Sequence, residues 1–180
     1  ERVRDELAIP VLYVTHAVDE AARLADRLVL MADGRIVNDG PLDKMLTSPV
    51  PGLAHGRDAG AVVSATVSAM DDEFHLARLD FSGGQLQVCD RDLALGAKVR
   101  VRIHARDVSL ALSPASETSI LNILPAEVTD LLPDDPGRVM VRLKVGDTVL
   151  LAAVTARSAH GLDLKPGQRV WAQIKSVALL

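Results

Sequence analysis

Apolar residues follow two different patterns along this chain, and the change between them falls near residue 50. Ile9-Pro10-Val11-Leu12-Tyr13-Val14-Thr15 is a nearly continuous apolar run, the pattern of a strand buried on both faces of a parallel sheet. Pro10, near its start, suits a strand's first position. Val18, Ala21, Ala22, Leu24, Ala25 and Leu28 then recur at spacings of three and four, with Asp19, Glu20, Arg23 and Asp26 on other faces. This predicts an amphipathic helix over 18–28 whose acidic residues lie in the first turn, where the helix dipole favours them. Residues 28–32 and 35–38 flank Asp33-Gly34, which supplies the positive φ of a tight hairpin turn. Gly40-Pro41 opens a short helix through Leu46, with proline where a missing N–H costs nothing.

Between Ser48 and Gly60 the sequence turns to Pro49, Pro51, Gly52 and Gly56 among small and polar residues, an interdomain linker. Beyond it, short period-two runs cover 62–67, 74–81, 99–103, 108–112, 139–145, 149–154 and 170–174. With turn signals such as Ser82-Gly83-Gly84 and Lys165-Pro166-Gly167, they predict a small all-β barrel or sandwich. Gly96-Ala97-Lys98-Val99-Arg100-Val101-Arg102-Ile103, followed by Asp107-Val108-Ser109-Leu110, parallels Gly167-Gln168-Arg169-Val170-Trp171-Ala172-Gln173-Ile174, followed by Ser176-Val177-Ala178-Leu179. Two related modules explain the parallel most simply, although turn-strand-turn-strand patterns look alike in any β protein. The expected division is an α/β segment over 1–48, a linker over 49–60 and a β domain over 61–180, with modules of about 61–114 and 115–180.

Composition narrows the function. The 180 residues are 48% hydrophobic and 24% charged with net charge -4, which fits a globular chain. With no dense Lys/Arg cluster, and only Tyr13, Phe74, Phe81 and Trp171 as aromatics, it lacks the charge and the stacking platform of a nucleic-acid binder. Cys89 is the single cysteine, so an internal disulfide and a cysteine-rich zinc site are excluded and a reducing compartment fits. The apolar runs fall well short of the roughly 20 residues of a membrane-spanning helix. The start, Glu1-Arg2-Val3-Arg4-Asp5, lacks the apolar core of a signal peptide. A first residue of Glu rather than Met fits numbering that begins inside a longer protein.

Thr15-His16 falls where the expected strand ends and the helix begins, at the carboxyl edge where open α/β sheets bind ligands. An imidazole there either donates a hydrogen bond to a phosphate oxygen or an attacking water, or is simply structural. Leu12-Tyr13-Val14-Thr15-His16, Asp19-Glu20-Ala21, Leu24-Ala25-Asp26-Arg27, Met31-Ala32-Asp33-Gly34-Arg35-Ile36-Val37 and Gly40 closely resemble the last segment of an ABC transporter nucleotide-binding domain. On this resemblance, which covers 1 to about 50, His16 is the switch histidine that contacts the γ-phosphate of ATP. No G-x-x-x-x-G-K-[ST] loop and no apolar strand ending in Asp-Glu precedes it. Those elements cradle the phosphates and hold Mg²⁺, so this stretch alone is not expected to hydrolyse ATP. Phe81-Ser82-Gly83-Gly84-Gln85 is similar to the family's Leu-Ser-Gly-Gly-Gln signature. It follows His16, however, and lies between alternating runs, which predicts a hairpin turn.

Residues 99–112, Ser119-Ile120-Leu121-Asn122-Ile123-Leu124 and 171–179 together resemble the regulatory domain of the ATP-binding subunit of molybdate importers. That domain is the molbindin-like form of the TOBE, or transport-associated OB, fold. The resemblance implies a mainly β fold in which a two-module OB-like barrel follows a truncated α/β piece of an ABC ATPase. It also implies an oxyanion site for molybdate or tungstate at Ser119, Asn122, Lys175 and Ser176. The chemistry is consistent: molybdate is an unprotonated tetrahedral dianion, so its site needs donors and positive charge and no carboxylate acceptor. Arg106, Arg157 and Ser158 are secondary candidates. Ile120 and Leu121 stand where some molbindins have an arginine. Such residues also serve as ordinary turn caps and solvated charges.

For the whole protein the resemblance implies a transport ATPase using ATP and Mg²⁺, peripheral on the cytoplasmic face of the membrane. Its partners are a second ATP-binding subunit, the membrane-spanning permease subunits and, indirectly, a periplasmic molybdate-binding protein. Oxyanion in the β domain would inhibit transport. Two alternatives remain: an importer of sugar, polyamine or another anion whose OB domain is only a subunit contact, and a cytoplasmic molybdate-storage protein.

Overall fold

The computed structural model describes residues 9–48, 58–89 and 92–180. The segment at 9–48 contains α1 (Val18–Leu24), the hairpin β1 (Arg27–Ala32) and β2 (Arg35–Pro41), and α2 (Leu42–Leu46). Asp33 and Gly34 form the hairpin turn with φ of 49° and 72°, the geometry that Asp-Gly favours. Three expectations need correction. Residues 9–15 form no strand, and Ile9, Val11, Leu12, Tyr13 and Val14 are all exposed; a parallel strand needs flanking strands, and none lies beside this run among the described residues. α1 closes at Leu24 rather than Leu28 because Leu28 pairs with Gly40 in the hairpin. Gly40 and Pro41 end β2, and Pro41 caps the short helix rather than lying inside it. Most of the expected linker, 49–57, lies outside the described residues, but Ala59 is buried and its carbonyl accepts from the Ala105 N–H at 2.8 Å.

The β region is built from β3 (Gly60–Asp71), β4 (Leu76–Phe81), β5 (Gly84–Cys89), β6 (Lys98–His104), a 3₁₀ turn (Ala105–Asp107), β7 (Val108–Ala111), β8 (Asn122–Pro133), β9 (Arg138–Val145), β10 (Thr148–Thr155), α3 (Ala156–Gly161), β11 (Arg169–Ile174) and β12 (Ala178–Leu179). Strand residues outnumber helical ones by 52% to 13%, so the fold is mainly β, as the period-two runs require. Each of those seven runs falls on a strand, six with ends within two residues, while β3 runs four residues past the expected end at Val67. β5 is the second strand of the hairpin expected around Ser82-Gly83-Gly84, whereas β8, β12 and α3 were not among the expected elements. Phe81 pairs with Gly84 across Ser82-Gly83, so the Ser-Gly-Gly sequence is a hairpin turn.

The strands form two five-stranded sheets, ordered β12-β6-β3-β4-β5 and β10-β9-β8-β11-β7. Each sheet takes its edge strand from the far side of the repeat: β7 joins the later sheet and β12 the earlier one. The register follows the repeat: Ser109 opposes Gln173 as Ala178 opposes Arg102, and Leu110 opposes Ala172 as Leu179 opposes Val101. The turns match as well. Gly96 (φ +81°) donates to the Val67 carbonyl and Gly167 (φ +84°) to that of Val128. β3 shifts register after Val67 and β8 after Val128, a bulge at the same place in each half.

One core joins the sheets. Val67, Leu79, Leu86, Val101 and Ile103 of the first pack with Val128, Leu143, Leu150, Ala172 and Ile174 of the second, all nearly or fully buried. Alternation puts these side chains on one face of each strand, so burial of apolar area drives the two curled sheets together. The hairpin tips also meet: a Cβ on Gly146 would collide with the Ser82 carbonyl, and Ser82 Oγ lies 2.7 Å from Thr148 Oγ1.

Candidate functional site

β8 starts where β11 ends. Asn122 and Ile174 are register partners, so Ser119, just before β8, and Lys175 and Ser176, just after β11, lie at one end of the second sheet. The Lys175 N–H donates to the Asp107 carbonyl at 2.8 Å, which brings the 3₁₀ turn carrying Arg106 to the same end. Ser119, Lys175 and Ser176 are exposed. Two hydroxyls and an ammonium, all hydrogen-bond donors, are thus solvent-accessible at this end of the sheet.

Asn122 differs from its neighbours. It is 7% exposed, and its Oδ1 accepts from the Gln87 N–H at 2.6 Å while its Nδ2 donates to the Gln87 carbonyl at 3.0 Å. The amide thus satisfies one backbone unit of β5 in both directions and ties the first sheet's edge to the start of β8. Arg157 and Ser158 lie on another element, α3. There Thr155 Oγ1 accepts from the Ser158 N–H at 3.0 Å as an N-cap.

His16 is exposed on a bend before α1. Glu20 accepts from Thr15 Oγ1 at 2.6 Å and from the Tyr13 hydroxyl at 3.1 Å. These bonds, with the nearby His16, hold the Glu20 carboxyl below the usual carboxylate range. Among the described residues no group of His, Cys, Asp and Glu is placed to hold a metal ion.

Sequence reasoning passed over a cationic pair on β6. Arg102 is 2% exposed, and its Nε lies 2.9 Å from Asp19 Oδ1 on α1. Its Nη2 donates to the Asp58 carbonyl at 2.6 Å. Arg100, two residues earlier and so on the same face, pairs with Asp26 and donates from Nη1 to the Ala25 carbonyl at 2.9 Å. Next along, burial and the Arg102 and Arg106 charges push the His104 imidazole below its ordinary value. The legible signal was an Arg-x-Arg strand in a chain whose amphipathic helix carries Asp19, Glu20 and Asp26 on its polar faces.

Fold and site together define a TOBE-type, molbindin-like β domain. The TOBE domain model matches residues 118–180. A solved structure of the cytoplasmic molybdate-binding protein ModG, with molybdate bound, is similar at 26% identity and a TM-score of 0.56, covering 66% of this chain and 95% of that one. Along its whole length the chain is 51% identical to the molybdenum import ATP-binding protein ModC of Methylococcus capsulatus and 54% identical to that of Thiobacillus denitrificans. The match is to the C-terminal part of these ATP-binding proteins, and the TOBE domain lies within it. The chain spans about half the length of the curated relatives it matches, 51% and 50% for those two. No helix of the described residues is long and apolar enough to cross a membrane.

Proposed function

We propose that this chain is the regulatory portion of a molybdate importer's ATP-binding subunit and that its β domain takes molybdate or tungstate at Ser119, Lys175 and Ser176. Asn122 contributes by holding the start of β8 in place. The observation that supports the reading is that the β8–β11 register puts exposed Ser119, Lys175 and Ser176 at one end of the same sheet, on a fold similar to that of a molybdate-bound protein. In the expected division, residues 1–48 end the ATPase domain, 49–60 link, and 61–180 sense.

His16 by itself makes no ATP site. It supplies one donor, and the groups that would grip the phosphates and Mg²⁺ do not precede it in this sequence; no step of hydrolysis belongs to these residues alone. In the assembled importer two such subunits pair at the cytoplasmic face against the permease subunits, and a periplasmic molybdate-binding protein delivers substrate from the other side. Oxyanion in the β domain favours one transporter state and slows transport, which requires differential affinity for the two states. A storage role is favoured by the fold likeness to ModG alone. Relatedness to importer subunits over the entire chain, residues 1–48 included, favours the importer.

The test is the ATPase rate of the assembled importer against rising cytoplasmic-side molybdate. The rate falls in wild type and holds steady in a Lys175→Ala, Ser176→Ala variant; a wild-type rate unmoved by saturating molybdate refutes inhibition.

A further inference from the structure

The stretch following Lys175 and Ser176 runs directly to the helix that follows His16. Ala178 and Leu179 pair with Arg102 and Val101 of β6, and the Leu180 N–H donates to the Arg100 carbonyl at 3.0 Å. The Leu180 side chain then packs against a cluster of Ala22, Leu42, Leu46 and Val62, joined by Val18, Ala25 and Leu28. Thus one residue five positions beyond the oxyanion candidate helps form the floor under α1. From the same strand, β6, Arg102 reaches Asp19 at the start of α1 and Arg100 reaches Asp26 just past its end. α1 has only seven residues and no side-chain cap, too short to hold a helix by itself. Its position is therefore set by this floor and these two ion pairs.

We propose that residues 175–180, with Arg100 and Arg102, form a strap that couples oxyanion at Lys175 and Ser176 to the placement of α1 and so of His16. The coupling rests on the oxyanion reading above; the strap itself does not. Oxyanion fixes the backbone at 175–176, β12 holds its register on β6, and Leu180 and the arginines hold α1 down. His16, immediately before α1, then stays where the β domain puts it. Leu180 and Asp19 are positioning residues in this scheme, since neither touches the oxyanion or ATP.

The experiment is rapid-quench hydrogen exchange on the 180-residue chain, reading the Ala21 and Ala25 amides, which donate to the Ala17 and Ala21 carbonyls. Without oxyanion, Asp19→Asn and Leu180→Ala each speed exchange at these amides about tenfold while β9 and β10 amides keep their wild-type protection. Unchanged exchange at Ala21 and Ala25 in both variants overturns the strap. With saturating molybdate, wild type gains about fivefold protection there, at the low end of usual coupling strengths, and Leu180→Ala gains none. Because coupling is reciprocal, Leu180→Ala weakens molybdate binding by the same factor. Molybdate that binds without changing α1 exchange overturns the coupling. Absence of binding overturns the oxyanion reading and the coupling with it, while the anion-free comparison still decides the strap.

Discussion

Replacing Asn122 by alanine separates two roles for that side chain. In the structure its amide makes two hydrogen bonds to the N–H and C=O of one β5 residue, Gln87, at 2.6 and 3.0 Å, from a position only 7% exposed. Each such bond is worth about 1 kcal/mol net, and more where the partner left behind stays buried. Gln87 lies on an exposed edge strand, so water recovers part of what its N–H and C=O lose. The expected cost is therefore about 2 kcal/mol, which for a chain of this size lowers Tm by roughly 4–8 °C. Urea unfolding with both far-ultraviolet dichroism and Trp171 fluorescence measures it directly. The loss appears without any oxyanion present, and molybdate affinity falls only through the loosened start of β8. An Asn122→Ala chain within about 0.5 kcal/mol of wild type refutes the reasoning, since the two-way bond to Gln87 would then hold nothing.

Two further outcomes follow from the same structure. Gly146 (φ +58°) meets the Ser82 carbonyl, whereas Gly137 (φ +82°) has open space, so Gly146→Ala costs about 3 kcal/mol against about 1 for Gly137→Ala; equal losses in urea melts would dissolve the claim that the hairpin tips dock through bare backbone. The folded His104 imidazole titrates below its ordinary value because burial and the Arg102 and Arg106 charges oppose its proton. The unfolded chain therefore binds that proton first, and stability that is complete above about pH 6.5 declines as pH falls toward the folded value. His104→Gln flattens this slope between pH 7.5 and 5.5; an unchanged slope assigns it to other groups.

Alternation of apolar residues was enough to locate most strands, because burial of one sheet face is a local demand that each strand meets for itself. What escaped depended on distant partners. β8 was hidden by Pro125, Pro133 and its acids, although Asn122, Leu124, Ala126 and Val128 alternate into the interior. Pro125 is tolerated because β8 pairs there only with β11, and its pairing with β9 begins at Glu127, so the missing N–H interrupts no ladder on that side. β12, two residues long, has no pattern of its own. Residues 9–15 have the composition of a buried strand, but composition does not supply the neighbouring strands. Ser119, Lys175 and Ser176 could be singled out from the sequence by residue type, whereas their placement at one end of the second sheet follows from the pairing of β8 with β11. Asn122's bond to Gln87 and the burial of Arg102 were not legible, since each follows from an element brought up by tertiary packing.

The central claim is that the β domain of this chain takes a tetrahedral oxyanion at the meeting of β8 and β11. Calorimetric titration of the 180-residue chain with molybdate, with sulfate and phosphate as controls and a Lys175→Ala, Ser176→Ala variant alongside, tests it most directly. Heat of binding for molybdate alone, abolished in the variant while its unfolding midpoint stays at the wild-type value, is the predicted result. A folded chain that takes up no molybdate, or a variant that binds as well as wild type, contradicts the claim.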